Sequence, residues 1–255
     1  MNLIEYTRMH EVEEQHWWYL GLHKLILGLI QRESQRLNRT LHIFDAGCGT
    51  GRLCQLLAAD GYHISGCDVS EEALRLCLQR DIHTVYQADL NTLELEPERY
   101  DVITSIDVLY HSGVNDDIAV MRRLRSGLKP GGMLILNLVA NEFLRSTHDI
   151  AVHTRERYTR AVLCQRLRAA GFHIEFASYR VSILFPFIVV YRLLARLTRN
   201  QKTEQSKVVS DLASPHWLVN FLLLKIILLE NAFLRVVSLS FGSSVCVVAR
   251  KAVKK

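Results

Sequence analysis

The sequence lacks the marks of a metal- or disulfide-built protein. Six cysteines (Cys48, Cys54, Cys67, Cys77, Cys164, Cys246) form no Cys-x-x-Cys pair and no zinc-like spacing with histidine. They read as buried, reduced thiols, and no metal is expected. The first residues, MNLIEYTRMHEVEEQHWW, hold no apolar run of the secretory kind, so a cytoplasmic location is expected. No stretch supplies the 18 or so uncharged apolar residues that cross a bilayer. No internal repeat is found. The net charge of +5 permits attraction to phosphates or anionic lipid heads but demands neither. What remains is a 255-residue chain able to bury a substantial core without staples.

Between residues 41 and 140, short apolar strands alternate with amphipathic helices. Strands are expected at 41–46, 62–67, 84–87, 100–106 and 133–138, with a helix after the first that stops at Gly61. Ser70 suits the cap of the next helix, with Glu71 and Glu72 in its positive first turn. The stretch 116–127 opens on acids and closes on Arg122, Arg123 and Arg125, which complements a helix dipole. That cluster therefore needs no nucleic acid, and none is expected as a partner. Lys129-Pro130-Gly131-Gly132 reads as a turn into the next strand. Alternation of this kind predicts an α/β fold, a Rossmann-like, doubly wound parallel sheet.

The stretch from Ile43 to Gly51 carries the chemistry. Gly47, Gly49 and Gly51 permit a tight strand-to-helix turn that a ligand can approach closely. A dinucleotide site would want G-x-G-x-x-G, but Arg52 stands at the next position and Asp45 lies just ahead. A carboxylate there repels pyrophosphate and suits an ammonium, which favours S-adenosylmethionine (SAM) over NAD. Asp68 ends the second strand, where it can accept from ribose hydroxyls, and Asp89 follows the third, where it can accept from an adenine amino group. Taken singly, each acid also reads as a cap or turn residue. Three at successive strand ends point to the ligand edge of an open sheet.

In order and spacing, DAGCGTG, GCDVS, QADL, YDVITSIDVLYH and LKPGGMLIL resemble the motif series of class I SAM-dependent methyltransferases over residues 40–140. The resemblance implies a seven-stranded sheet with its last strand antiparallel. It places the methionine end of the cofactor at Asp45, Gly47, Cys48, Gly49 and Gly51, the ribose at Asp68 and Val69, and the adenine at Asp89 and Leu90. Ile106 and Asp107 would face the methionine portion. Beyond residue 140, His148-Asp149, His153, Arg155 and Arg157-Tyr158-Thr159 are similar to a bacterial small-molecule subgroup, as is Gln15-His16-Trp17-Trp18-Tyr19. The chain departs from it at Leu22 and His23, where paired arginines are usual, and at Leu138-Val139-Ala140, where Val-Pro-Ala is usual.

Methyl transfer needs mainly positioning, with a base where the acceptor is a hydroxyl or a protonated amine. His111 and His153 are the candidate bases, and each also reads as a structural histidine. Trp18, Tyr110, His148 and Tyr158 are candidate substrate contacts, although core packing accounts for a lone aromatic equally well. The chain is expected to be one domain, 1–255, with an N-terminal helical cap at 1–40 and an apolar helical insertion at 180–242. In that insertion Arg192, Arg196 and Arg199 would form one basic stripe. Ser214-Pro215 would open a second helix, with the proline in its first turn. Such helices form a lid, a homodimer interface, a peripheral membrane contact or simply added core. The leading expectation is SAM-dependent methylation of a small, hydrophobic or lipid-linked acceptor. Methylation of RNA or protein and non-catalytic SAM binding are the alternatives.

Overall fold

The computed structural model describes residues 2–198 and 215–253. Strands β1 (His42–Ala46), β2 (His63–Asp68), β3 (Val85–Gln87), β4 (Tyr100–Ile106), β5 (Leu128–Val139), β6 (Phe172–Arg180) and β7 (Ser244–Lys251) form one open sheet. Its order is β3-β2-β1-β4-β5-β7-β6. The first five strands run parallel, and β7 inserts antiparallel between β5 and β6. The seven-stranded, doubly wound arrangement expected from the sequence is the one observed.

Helices cover both faces. Beneath one lie α5 (Asp117–Gly127) and α7 (Arg160–Ala169), sealing a core that includes Phe44, Ile103, Leu134, Met121 and Leu167. On the other, α2 (Trp17–Leu37) and α3 (Arg52–Ala59) pack Leu22, Ile26, Ile30, Leu53 and Leu57 against Ile43, Val102 and Ile135. The caps follow the chemistry of the sequence. The Ser70 hydroxyl accepts from the Ala73 amide at the start of α4 (Glu71–Gln79), and Thr159 accepts from Val162 at the start of α7. Lys129–Gly132 is not a free turn. It lies within β5, where a register shift opposite Tyr100 and Val102 absorbs it as an irregularity in a continuous strand.

At the amino end, α1 (Leu3–Val12) leans on α4 rather than on the sheet centre. After β5 come a short helical turn and α6 (Thr147–Ala151). The insertion supplies α8 (Phe185–Thr198) and α9 (Trp217–Phe233) between β6 and β7. Helix α9 begins after Pro215, with His216 as its cap accepting from the Leu218 amide. Proline therefore precedes the helix instead of occupying its first turn. Ser214, Arg199 and the polar stretch 200–210 lie outside the described residues. α9 is seated on α2 at Gly21, where a Cβ would stand 2.2 Å from the Ile227 side chain. The Asn231 amide donates to the Gly21 carbonyl (2.7 Å), and the Asn220 carbonyl oxygen accepts from the Trp17 amide (2.9 Å). Glu230, buried, accepts from the amides of Val181, Ser182 and Ile183 and so fixes the turn that leads into α8.

Candidate active site

A cavity of about 1210 Å³ opens at the carboxyl edge of β1, β2 and β4 and runs under α1, α2 and α8. Its location is the one that open α/β sheets reserve for ligands. Asp45, Gly47, Cys48, Gly49, Asp68, Val69, Asp89, Leu90, Ile106 and Asp107 all line it, as do Trp18, Tyr110, His111 and His153.

The turn after β1 is shaped for close approach. Gly47 sits at φ +83°, and a Cβ there would lie 2.4 Å from a Val108 methyl, so a side chain is excluded on two grounds. Gly51 serves differently from the sequence expectation. It is the left-handed cap of α3, packed toward Cys77, and does not face the cavity.

Among the described residues, the acids of this edge are held without hydrogen-bonded cationic partners. The Asp45 carboxylate accepts from the Thr104 hydroxyl (2.7 Å) and the Cys54 thiol (3.7 Å). Burial pushes its pKa up to about 7. A cation arriving beside it would pull that carboxyl back to its ionised form, which suits an ammonium group. Asp68 is also raised by burial and is already well occupied. It accepts from the amides of Gly49 (2.9 Å) and Ser70 (3.0 Å) and from the Tyr6 hydroxyl (3.3 Å). A carboxylate has about four acceptor positions, so taking two ribose hydroxyls requires Tyr6 to yield. Asp89 is exposed at the rim, accepting from the backbone and side-chain amides of Asn91.

The glycine turn is roofed by residues whose role the sequence did not disclose. Glu13 accepts from the Thr50 hydroxyl and from Arg80 (2.8 Å), and Met9 reaches to 3.1 Å from the Cβ position of Gly49. With Tyr6, these contacts staple α1 over the turn. Leu22 and His23, the departures from the subgroup, both line the cavity. Burial, then Arg52 and Arg80 nearby, lower the His23 pKa to about 4, so it stays neutral. Arg52 is also on the cavity wall and is one of three arginines that line it, with Arg157 and Arg192.

The two candidate bases differ. Burial lowers the His111 pKa to about 4, and its Nδ1 has no hydrogen-bond partner among the described residues. Its ring stacks on Tyr110 with centroids 4.6 Å apart. His153 is exposed at φ +53°, with Nε2 2.9 Å from the Asn2 side-chain oxygen. Tyr158, a candidate substrate contact, does not line this cavity. It is fully buried outside the cavity, its hydroxyl donating to Asp117. His148 belongs to α6, and its side chain lies outside the described residues. No group of metal-ligating side chains occurs among the described residues.

Residues 44–136 match the family model described as a methyltransferase domain. The chain is 26% identical over 168 residues to the ubiquinone biosynthesis O-methyltransferase of Idiomarina loihiensis, covering 56% of this chain and 68% of that protein. It is 29% identical over 211 residues to the protein of the same name from Bordetella bronchiseptica, covering 72% and 86%. Against other relatives of that name the match spans about three fifths of their length. Among solved structures, a SAM-dependent methyltransferase from Thermotoga maritima shares the fold. Its TM-score is 0.56 at 18% identity, over 97% of this chain and 95% of that one. The residues at the cavity fit the cofactor of these proteins. The turn at Gly47 admits no side chain, and Asp45 and Asp68 are buried carboxyls without a cationic partner among the described residues.

Proposed function

We propose that this chain, which belongs to the class I SAM-dependent methyltransferases, methylates a hydroxyl oxygen on a small hydrophobic acceptor that it meets at a membrane surface. The observation that carries this reading is the two-part character of the cavity. Its polar part holds Asp45, Asp68 and the glycine turn. Its apolar part is walled by Trp17, Trp18, Leu22, Val139, Leu144, Val181, Ile188 and Tyr191. Ligand pockets commonly measure about 300–1,000 Å³, so this volume has room for a cofactor and an acceptor together.

Asp45 and Arg52 would hold the charged ends of the methionine moiety, Asp68 the ribose, and Asp89 with Leu90 the adenine. The sulfonium supplies an activated methyl group. The protein's own task is to orient the acceptor, exclude water and take a proton. That relatives are named for O-methylation in ubiquinone biosynthesis supports an oxygen acceptor on a hydrophobic molecule. α8 and α9 support a surface contact. Phe187 is 72% exposed and Trp217 71%, with Val190, Leu193, Phe221 and Leu222 also outward. No helix among the described residues is long and apolar enough to cross a membrane. The apolar wall of the cavity and this outward face share α8, which would let an acceptor pass from lipid to site.

Incubation with methyl-labelled SAM and a catechol bearing an isoprenoid chain tests the chemistry. The expected result is a labelled methyl ether, and no labelled product with this probe or with a lipid extract would overturn it. Flotation with vesicles of anionic phospholipid tests the surface contact, and protein left wholly at the bottom of the gradient would remove that half.

A further inference from the structure

Asp107 follows the last residue of β4 and lines the cavity. Its neighbour Val108 presses on Gly47 at the cofactor turn. Tyr19, Tyr110 and Arg157, all on the cavity wall, are near enough to interact electrostatically with the Asp107 carboxyl. The backbone there is forced, with φ +57° at a non-glycine residue. A conformation of that kind persists only where the surroundings impose it. Here the Asp107 amide is tied to the Asn137 carbonyl (2.7 Å), and the Asn137 side-chain amide donates to both carboxylate oxygens at 3.2 Å. Asn137 is fully buried in β5, and its own side-chain oxygen accepts from Arg180 at 3.0 Å. Arg180 is 1% exposed at the end of β6, and its Nε is without a hydrogen-bond partner among the described residues.

A buried arginine set one residue behind a half-buried aspartate is an unusual economy, since direct pairing would satisfy both. The same molecule shows what direct pairing does. Arg157 grips Asp149 with two bonds of 2.8 and 3.0 Å, and Arg39 and Lys129 hold Asp101 below the ordinary carboxylate range against its burial. A carboxylate held that way is a poor proton acceptor. Through Asn137, Arg180 orients Asp107 without capturing its charge.

We propose that Asp107 is the general base of methyl transfer, positioned by Asn137 and Arg180, and that neither His111 nor His153 takes this part. The proposal rests on the reading that the acceptor is a hydroxyl. In the transfer the acceptor oxygen bonds to the methyl carbon, and the carbon–sulfur bond breaks with its electron pair left on sulfur. The hydroxyl proton passes to Asp107, which later returns it to water. One positive and one negative charge are both neutralised, which a low-dielectric cavity favours.

The groups facing the carboxyl are Asn137 from β5, Arg180 from β6 and Cys246 from β7, with Arg157, Tyr19, Tyr110 and His111 around the opening. Burial dominates over the two arginines and Asn137 and pushes the Asp107 pKa up to about 7, near working pH for a base. His111, lowered by burial to about 4, is far weaker.

The test has a spectroscopic arm and a kinetic arm. In cofactor-free protein with carbon-13-labelled aspartate, one carboxyl resonance absent from Asp107→Asn should titrate near neutrality. In Arg180→Gln it should titrate at higher pH. A midpoint below about 5 would overturn the proposal whether or not any acceptor is turned over. With methyl-labelled SAM and the isoprenoid catechol, Asp107→Asn should lose 100-fold or more in kcat and the acid limb of the kcat/KM profile. Its affinity for S-adenosylhomocysteine, which carries no sulfonium, should stay within several-fold of the parent's. Asp107→Glu should recover part of the rate, and His111→Gln should cost far less than Asp107→Asn. Turnover within threefold of the parent in Asp107→Asn, with the pH profile unchanged, would overturn the base assignment while leaving the methyltransferase reading intact. A parent protein that binds no S-adenosylhomocysteine would instead overturn that reading.

Discussion

The two edges of the sheet treat the same residue type in opposite ways. At the amino edge Asp101 is buried and saturated. It accepts from Arg39 (2.9 Å to one nitrogen), Lys129 (3.0 and 3.1 Å) and the His42 amide (2.9 Å). Nearby, Glu33 is gripped by Arg36 and Arg250, which outweigh its burial and lower its pKa to about 2. At the carboxyl edge Asp45, Asp68 and Asp107 are also withdrawn from bulk water, but they accept only from hydroxyls, a thiol, backbone amides and one asparagine. Their pKa values rise where those of Asp101 and Glu33 fall. The first arrangement completes its own charge balance and contributes to the fold. The second leaves a deficit that a cationic ligand can fill.

Breaking one acid at each edge should therefore have opposite consequences for stability. The larger effect is expected at the amino edge. Asp101→Ala removes the acceptor for two cations and one amide and should cost roughly 2–3 kcal/mol. This falls below the usual cost of breaking a buried pair, because Arg39 and Lys129 are partly exposed and can turn toward water. The pH sign follows from the depressed pKa of Asp101. Its contribution is present above the unfolded value near 4 and is lost as pH falls through the lower folded value. Urea unfolding at pH 7 and pH 3 would show the gap between parent and variant closing in acid. A gap of equal size at both pH values would contradict the pairing account.

The smaller effect is a gain. For Asp45 the folded pKa is raised from 3.8 to about 7, so the folded state binds the proton more tightly. The parent should lose stability as pH climbs from about 4 to 7, where the unfolded chain has already released its proton. Asp45→Asn removes that penalty and should stabilise the cofactor-free protein at pH 8 by on the order of 1–2 kcal/mol, with no gain at pH 4. Denaturation at the two pH values measures this directly. A variant less stable than the parent at pH 8 would mean that the ionised carboxylate is better solvated than its burial implies.

This contrast also explains how much could be read from the chain alone. The first five strands, the helices between them and the capping residue Ser70 follow from local chemistry, which is written locally, whereas the seven-stranded sheet with its antiparallel last strand was legible only through the family resemblance. The glycine turn and the strand-end acids were visible because their spacing is fixed by the strand–turn–helix unit. The roof was not. Tyr6, Met9 and Glu13 meet Asp68, Gly49 and Thr50 across some forty to sixty positions, and nothing in an amphipathic first helix announces its partner. Tyr158 misled because an aromatic beside a motif looks the same whether it faces a ligand or, as here, is pinned by Asp117. Asn137 left a signal, as the lone amide in the apolar run from Met133 to Val139. Its partner Arg180 could be identified only once β6 and β7 were in register. The insertion divides similarly. Its apolarity was plain, whereas the seat of α9 on α2 depends on Gly21, Asn220 and Asn231 meeting in space.

The central claim is that the incompletely paired carboxylates at the carboxyl edge bind SAM. Calorimetric titration of the purified protein with SAM and with S-adenosylhomocysteine tests it most directly. Saturable one-to-one binding of both is predicted. Asp68→Ala should weaken each by roughly 1–3 kcal/mol, the scale of lost hydrogen bonds to a charged group, and Asp101→Ala should leave the affinity of the folded protein unaltered. No saturable heat with either ligand, or equal affinity in the Asp68→Ala variant, would contradict the account.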